Sequence, residues 1–463
     1  MQSESLHYFI KALILDSQYK PGQNDFNESN ACFCLELLTE ITLINHERID
    51  FVWCLVSGHF IQIISTAKQI SEYVEQAIIC SLLLCVKLSS KREISSAIFN
   101  TLELFLKLEP SIANAMSESI IIAVTKLLQS ISTYQFISTS DQWRIVMSLV
   151  ERSAKYLNSC ERGFLGLSNL IQTHTFPPFG PIFSPIAFHY YLQAVLAYVN
   201  VIETKNNSNQ NAANAHKKGI QSSPAVVNEQ SIHVPISVKA MNILYALFEG
   251  VYGIPELQEE FKSNQVHKTE IWRFYWLPIF QACIYLCRDP RNEIRTHAMT
   301  LLQRALFSPK TGCLQILSPD GLHTYFDEVM FPLLNELLKP FNATSEASLA
   351  NIEETRVRAI TLLSKSLLQY LHQITLLSDF HSVLWPKILQ AFELYMKADR
   401  NGLLKEAIPE TLKNILLVML QMNVFHQELW AASWSSIDSF CPSLKEDESF
   451  RASLSTIRMN ISI

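Results

Sequence analysis

Residues 289–302 read Asp-Pro-Arg-Asn-Glu-Ile-Arg-Thr-His-Ala-Met-Thr-Leu-Leu, and residues 353–363 read Glu-Glu-Thr-Arg-Val-Arg-Ala-Ile-Thr-Leu-Leu. Both stretches repeat apolar residues at the three- and four-residue spacing of one helix face. A small alanine allows a neighbouring helix to approach closely, and the leucines fill the space between helices. When the stretches are aligned, Arg295 falls on Arg358 or Arg356, and Ala298 and Leu302 fall on Ala359 and Leu363.

This pattern has the shape of the second helix of a HEAT repeat, a unit of about 40–47 residues. The two alanines, Ala298 and Ala359, are 61 residues apart, so the array is expected to be irregular. The fold class that follows is all-α, with an irregular HEAT/armadillo-like helical solenoid.

Helical spacing extends over most of the chain. After Arg92, apolar residues recur on one helix face until Pro110, where the helix is expected to end; they are Ile94, Ile98, Leu102 and Phe105. Only 11 of the 463 residues are glycine. Rossmann and P-loop enzymes need glycines at their phosphate turns, and β-sandwiches need frequent turn signals. The composition therefore disfavours those classes.

Two interruptions divide the helical pattern. Residues 176–181 read Phe-Pro-Pro-Phe-Gly-Pro, which cannot be helical because three prolines restrict the backbone and remove donors. Residues 203–235 are rich in asparagine and have few large apolar residues. We therefore expect an N-terminal helical array over 1–202, a disordered linker over 203–235 and a C-terminal HEAT-like array over 236–463.

Charge and cysteine usage restrict the environment and the partners. With 37 Lys and Arg against 43 Asp and Glu, the net charge is −6, and no basic footprint for nucleic acid is present. The ten cysteines lack the dense spacing of a secreted disulfide framework, which indicates reduced thiols in a cytoplasmic protein. The N-terminus does not read as a signal peptide, and the longest apolar run, 77–86, is half of a membrane span.

Candidate chemical sites are few, and each has a simpler structural interpretation. Cys283 and Cys287 lie on one helix face without the second ligand pair that zinc requires, and Cys32 and Cys34 do not form a redox motif. No hydrolase, metalloprotease or phosphate-binding motif is found. The sequence therefore predicts no catalytic, cofactor-binding or metal-binding residue.

Two tryptophan pairs leave two interpretations open. Trp272 and Trp276 flank two further aromatic residues, and Trp430 and Trp434 form another pair at helical spacing. Such pairs more often serve packing, but an exposed pair would be an anchor for a partner or a membrane interface.

The C-terminal half also resembles a known family in its short sequence motifs and in their order. The motifs, in order, are Trp-Leu-Pro at 276–278, Asp-Pro-Arg at 289–291, Val-Met-Phe-Pro-Leu-Leu at 329–334, the stretch at 353–359 and Glu-Ala-Ile-Pro-Glu-Thr-Leu-Lys-Asn at 406–414. In this order they resemble the C-terminal region of the large Arf guanine-nucleotide exchange factors, of the Golgi-specific brefeldin-A-resistance type. The resemblance is good over about 240–425 and looser over 1–200.

The resemblance implies a regulatory platform and not a catalyst. Members activate Arf-type GTPases through a separate exchange domain with a Phe-Arg-Leu-Pro-Gly-Glu loop; here the one Pro-Gly, at 21–22, precedes Gln23. The implied partners are an Arf GTPase through the full-length protein and Golgi membranes or their proteins, with a homodimer left open. The implied location is cytoplasmic, peripheral on Golgi or early-secretory membranes, and the chain is expected to be part of a longer protein.

Two other hypotheses remain. One is a general HEAT-type scaffold or transport adaptor unrelated to Arf. The other is an enzyme with an unrecognised site, which predicts a buried cluster of histidines and carboxylates lining a pocket.

Overall fold

The computed structural model describes residues 3–19, 26–129, 137, 139–174, 185–200, 225–252, 271–307, 319–341 and 346–460. These residues are helical or lie in turns between helices, and no strand occurs among them. The contacts between Cα atoms divide the chain into two compact units, 1–254 and 255–463. The all-α prediction is therefore confirmed.

The first unit consists of helical hairpins stacked in two layers. Its helices are α1 (Ser3–Ser17), α2 (Glu28–Ile44), α3 (Ile49–Thr66), α4 (Glu72–Lys87), α5 (Ser95–Leu106), α6 (Pro110–Ala115), α7 (Ser117–Gln129), α8 (Ser140–Ser153), α9 (Leu157–His174), α10 (Pro185–Val199) and α11 (Ala225–Val251). Helices α1, α3, α5, α8 and α10 contact one another in succession, as do α2, α4, α7, α9 and α11. This alternation is the stacking pattern of a solenoid.

Local sequence fixes where these helices begin. The Asn27 side chain accepts a hydrogen bond from the Asn30 backbone N–H at 3.1 Å, and Ser71 caps α4 in the same way. Thr139 and Gln142 form a reciprocal capping box at the start of α8. Each cap satisfies a backbone donor that the first turn of a helix leaves without a partner.

Helix α3 is one of the two most apolar helices described in the first unit. The stretch His46–Thr66 is long and apolar enough, by length and composition, to cross a membrane. Eight of the residues of α3 are buried against neighbouring helices, among them Trp53 and His59. Its composition therefore also fits a helix at the centre of a packed array.

The second unit repeats the two-layer arrangement. Its helices are α12 (Leu277–Leu286), α13 (Asn292–Phe307), α14 (Pro319–Tyr325), α15 (Phe331–Leu338), α16 (Glu346–Gln369), α17 (Leu371–Ile374), α18 (Trp385–Ala398), α19 (Leu403–Gln421), α20 (Gln427–Phe440) and α21 (Glu448–Asn460). Helices α12, α15, α18 and α20 stack in one layer, and α13, α16, α19 and α21 in the other.

A π-helical turn followed by a proline recurs in the first of these layers. The π turns Trp272–Trp276, Phe326–Met330 and Phe380–Leu384 precede Pro278, Pro332 and Pro386, which are 54 residues apart. A proline has no backbone N–H and clashes with the carbonyl four residues earlier, so a widened turn accommodates it. This 54-residue spacing is regular, whereas Ala298 and Ala359 of the other layer are 61 residues apart.

Two buried arginines of the second unit donate to backbone carbonyls in turns or at helix ends. The Arg295 guanidinium donates to the carbonyls of Asp289 and Pro290 at 2.8 and 2.9 Å. The Arg356 guanidinium donates to the carbonyls of Leu337 and Ala398, at the ends of two other helices. Helix C-termini leave carbonyls without partners, and Arg356 satisfies and bridges two such ends, whereas Arg295 holds the turn before its own helix. Arg356 is thus the structural counterpart of Arg295, and Arg358 is a surface residue.

The predicted arrays over 1–202 and 236–463 and the linker over 203–235 stay a prediction. Helix α11 packs on α9 and α10 of the first unit, and the contacts divide the chain after residue 254. Residues 225–235 of the predicted linker form the beginning of α11. Residues 203–224, and the Pro-rich segment 176–181, lie outside the described residues.

Candidate functional site

The cysteines considered for metal binding serve packing. Cys283 and Cys287 are buried, and burial raises the pKa of Cys283 to about 12 and holds the pKa of Cys287 well above its ordinary value. Burial also raises the pKa of Cys32 to about 11. Metal binding and nucleophilic attack require the thiolate. No group of three metal-binding side chains occurs among the residues that the structure describes.

The two tryptophan pairs have different surroundings. Trp272 and Trp276 are buried, and Trp272 donates its indole N–H to Glu328 at 3.2 Å. Trp430 is half-buried and packs edge-on against Trp434, whose ring also lies under the Lys445 ammonium at 5.1 Å. These two tryptophans line a cleft of about 370 Å³ between α20 and α21. The first pair is packing, and the second remains accessible from one side.

A further cavity lies in the first unit. It has a volume of about 620 Å³ and is lined by aromatic, amide and charged side chains, including Phe26, Glu28, His59, Lys68 and Tyr73. The His59 Nε2 lies 2.8 Å from the Ser17 Oγ, and Tyr73 donates its hydroxyl to the Ser17 carbonyl at 2.6 Å. Ser17 therefore links α1 to both α3 and α4.

The distance between Ser17 and His59 is that of a catalytic serine–histidine pair, but the burial of Ser17 differs from that of a catalytic serine. Ser17 is fully buried, and its hydroxyl also reaches the Ile14 carbonyl at 3.2 Å, so a substrate cannot approach it. Burial lowers the pKa of His59 to about 4, so the ring is neutral at pH 7. The Glu28 carboxylate accepts a hydrogen bond from the Tyr73 backbone N–H at 2.8 Å, at the start of α4. These contacts are structural links between helices.

The second unit carries a groove between two successive helices of its first layer. The groove lies between α15 and α18 and encloses about 340 Å³. Its apolar walls are Phe331, Pro332, Leu334, Leu338, Ala391 and Leu394, and its polar rim is Asp327, Asn335, Lys387 and Gln390. An apolar groove with a few polar groups at its edge is a common form of protein-binding surface.

The polar rim of the groove carries a lysine close to carboxylates. The Lys387 ammonium lies 3.0 Å from an Asp327 carboxylate oxygen and 5.7 Å from the centre of the Phe331 ring. His323 lies between two carboxylates, 3.3 Å from Asp327 and 3.0 Å from Asp379. One end of the groove therefore presents a cation and carboxylates, while Asn335, Gln390 and the half-exposed Leu394 lie on the remaining surface.

Comparisons with known proteins agree with the ordered sequence motifs and with the array of helical hairpins. A family described as "GBF1-like, tetratrico peptide repeat region" matches residues 276–444, which include the whole groove. Similarity to the Arabidopsis thaliana ARF guanine-nucleotide exchange factor GNOM covers 96% of the chain at 28% identity. The chain is related to the C-terminal region of the large Arf exchange factors.

Other relatives point in the same direction. The Arabidopsis thaliana exchange factor GNL1 is 27% identical over 96% of the chain. The Caenorhabditis elegans homolog of the Golgi-specific brefeldin A-resistance guanine nucleotide exchange factor 1 is 37% identical over 38% of the chain. The chain spans 29% of GNOM, 29% of GNL1 and 9% of the worm protein. A crystal structure of an engineered protein aligns with a TM-score of 0.28 and 10% identity, too low for any conclusion.

The groove between α15 and α18 was not predicted from the sequence. Its residues belong to two helices 54 residues apart, and no short motif joins them. One signal was present, because a large apolar residue precedes a proline at 331–332 and an aromatic residue precedes one at 385–386. The 54-residue spacing of these prolines indicates the layer that contains α15 and α18. It does not indicate the groove between the two helices.

Proposed function

We propose that the chain is a regulatory, non-catalytic helical platform of an Arf exchange factor, which serves recruitment to Golgi membranes and binding of partner proteins there. The catalytic partner, an Arf-family GTPase, would meet it through the full-length protein. The observation that carries the proposal is the groove between α15 and α18, which lies inside the family match.

Three features support this proposal. The chain resembles the part of the family downstream of the exchange domain, and several of its relatives are named Arf exchange factors. The buried thiols and the Ser17–His59 contact are accounted for by packing. The groove has exposed apolar surface at Leu394 beside polar groups that can fix a partner's orientation.

A localisation experiment tests the proposal. The chain is fused to a fluorescent protein, and its overlap with a Golgi marker is measured for the wild type, Leu394→Glu and Leu376→Glu. Leu394 lies in the groove, and Leu376 is an exposed leucine of the same unit outside it. We expect the wild type and Leu376→Glu on the Golgi and Leu394→Glu dispersed. Diffuse wild type, or equal behaviour of the two variants, contradicts the proposal.

A flotation assay separates protein partners from lipid. The purified chain is mixed with vesicles of neutral or anionic phospholipid and centrifuged through a density gradient. Because the groove has a mixed rim and the chain a net charge of −6, we expect binding to depend on a membrane protein and not on anionic lipid. Flotation with protein-free anionic vesicles would contradict this expectation.

An exchange assay tests the non-catalytic character. Release of fluorescent GDP from an Arf GTPase is followed with and without the purified chain. We expect the same rate in both, because the resemblance is to the platform and not to the exchange domain. Acceleration would contradict the proposal, and pull-down of unrelated transport proteins without Golgi localisation would favour the general scaffold.

A further inference from the structure

The cavity of the first unit, of about 620 Å³, lies where the turns of two successive hairpins meet. Residues between α1 and α2, together with Glu28, supply part of its lining, and residues of α3, the following turn and α4 supply the rest. Because both hairpins line it, the cavity is an internal junction of the array and not an outer face. Its volume falls within the range of about 300–1,000 Å³ that small-molecule sites occupy.

Three aromatic rings form a wall of this cavity. The ring centres of Tyr19 and Phe26 are 5.2 Å apart and those of Phe26 and Tyr73 are 5.4 Å apart, both edge to face. The Tyr73 hydroxyl donates to the Ser17 carbonyl, so the innermost ring is held in place. Aromatic rings attract one another in edge-to-face and offset arrangements at this spacing. The wall therefore suits a planar aromatic ligand, which extends the series by one ring.

His59 brings a polar atom to the cavity that has no partner inside the protein. Its ring is 4% exposed and belongs to the lining. The Nε2 atom contacts the Ser17 hydroxyl, whereas Nδ1 forms no hydrogen bond among the residues that the structure describes. A neutral imidazole presents either a lone pair or an N–H at Nδ1, and either one needs a partner when it is buried. A ligand with hydrogen-bonding groups at its edge supplies that partner.

The charges around the cavity do not favour a charged ligand. The described lining carries one cation, Lys68, and one carboxylate, Glu28, which already accepts a hydrogen bond from the Tyr73 backbone N–H at 2.8 Å. Lys68 is exposed, so water and salt screen its charge. The remaining polar groups are hydroxyls and amides, among them Gln18 and Gln62, and amides both donate and accept hydrogen bonds. These groups suit an uncharged ligand that carries both donors and acceptors.

We propose that this cavity is a binding site for an uncharged planar heteroaromatic molecule of the size of a nucleoside. The ligand packs against the aromatic wall, and its edge forms hydrogen bonds with His59 Nδ1 and the neighbouring amides. The site binds and does not catalyse, because the Ser17 hydroxyl is buried and engaged. It lies in the first unit and does not depend on the groove between α15 and α18 or on the platform function.

Binding of three small aromatic probes to the purified chain tests the proposal. Adenosine is uncharged and heteroaromatic, phenylacetate is an anion and benzylamine is a cation. Each is titrated and followed by saturation-transfer difference NMR. We expect adenosine to bind with a Kd below about 1 mM and more tightly than either charged compound. Tighter binding of phenylacetate or benzylamine would contradict the uncharged class, and no binding of adenosine would overturn the proposal.

Filling the cavity locates the site. Ala67 lies in the turn after α3 and lines the cavity, so Ala67→Trp places an indole inside it. We expect this variant to weaken adenosine binding by about tenfold or more. The control is Ala115→Trp, at an exposed alanine that ends α6 outside the cavity, and it should bind as the wild type does. Equal affinities of the two variants, with unchanged helical circular dichroism, would place adenosine elsewhere on the chain.

Two substitutions of His59 test the role of Nδ1. Asparagine places an amide atom where Nδ1 lies, whereas glutamine places one where Nε2 lies. We expect His59→Gln to weaken adenosine binding by about tenfold and His59→Asn to weaken it less, because a buried site rejects a ligand whose polar group it leaves unpaired. Thermal unfolding of both variants ensures that binding is measured on folded protein. The opposite order of affinities would show that Nδ1 does not contact the ligand.

Discussion

The two units share one architecture but connect their repeats differently. In the first unit, Arg152 donates to the carbonyls of Phe105, Leu106 and Leu108 at the end of α5, and no carboxylate pairs with it among the described residues. In the second unit, Arg356 makes the same kind of bridge but also contacts the buried Glu353 at 2.8 Å. Arg152 is only half-buried and keeps contact with water, whereas Arg356 is buried.

The difference shows how burial decides what an arginine bridge needs. A solvated guanidinium can satisfy helix carbonyls on its own, but a buried one needs a compensating charge. Desolvation raises the pKa of Glu353, and the nearby Arg356 opposes that rise. The buried links of the first unit are neutral, such as the 2.6 Å contact between Ser153 and Tyr198, whereas its ion pairs between helices are solvent-accessible. The second unit should therefore depend on charge, and the first on close packing and neutral hydrogen bonds.

The largest effect is expected from removing the charge bridge of the second unit. Arg356→Met leaves Glu353 buried without a partner and should lower the free energy of unfolding by about 3–5 kcal/mol. The matched control is Arg358→Met on the same helix, which loses an exposed pair with Glu354 and should cost less than about 1 kcal/mol. Hydrogen exchange of the α16 and α19 amides measures both.

A double variant sharpens this comparison. Arg356→Met with Glu353→Leu removes both charges and should lose less stability than Arg356→Met alone. Equal losses in the single variant, the double variant and the Arg358→Met control would show that the second unit does not depend on charge.

The neutral His59 should make the first unit sensitive to acid. Its pKa in the folded protein, about 4, is lower than the ordinary 6.5, so the unfolded chain takes up the proton more readily. The stabilising contribution is complete above pH 6.5, is lost as the pH falls to 4, and reaches about 3 kcal/mol. Hydrogen exchange of α1 and α3 between pH 7 and 4 measures it. In His59→Gln the additional loss of protection should be absent; an identical pH dependence would show that His59 is not responsible.

Close packing in the first unit is tested by two glycines. A Cβ at Gly163 would lie 2.1 Å from the Tyr198 hydroxyl and 2.2 Å from the Ser153 hydroxyl, whereas Gly58 on α3 has no atom within 4 Å of that position. Gly163→Ala should therefore cost about 1–3 kcal/mol. Gly58→Ala should stabilise by about 0.5–1 kcal/mol, because alanine favours the helix. Thermal unfolding distinguishes them, and a stabilised Gly163→Ala would show that α9 does not approach α8 and α10 this closely.

The smallest loss of stability is expected from removing one buried tyrosine hydroxyl, and it should be the same in both units. Tyr191 donates its hydroxyl to the Leu167 carbonyl at 2.6 Å, and Tyr395 donates to the Leu334 carbonyl at 3.0 Å. Both tyrosines are fully buried, so Tyr191→Phe and Tyr395→Phe should each cost about 1 kcal/mol. Urea unfolding measures both. A much larger cost for Tyr395→Phe would show that its hydroxyl belongs to the neighbouring charge network.

The sequence by itself determined the class of the fold, because helical spacing and scarce glycine act locally and leave few alternatives. It also indicated the repeated arginine, but not whether Arg356 or Arg358 corresponds to Arg295, since that depends on which one a neighbouring helix buries. The family resemblance came from short sequence motifs that follow one another in order between residues 276 and 414.

Tertiary structure decided the rest, because each remaining feature depends on residues that only stacking brings together. The groove combines residues of α15 and α18, and the cavity combines residues of α2, α3 and α4 with the segments that join the helices. A single sequence records helix faces by spacing, but it does not record which faces meet, since that choice is made by packing between distant segments.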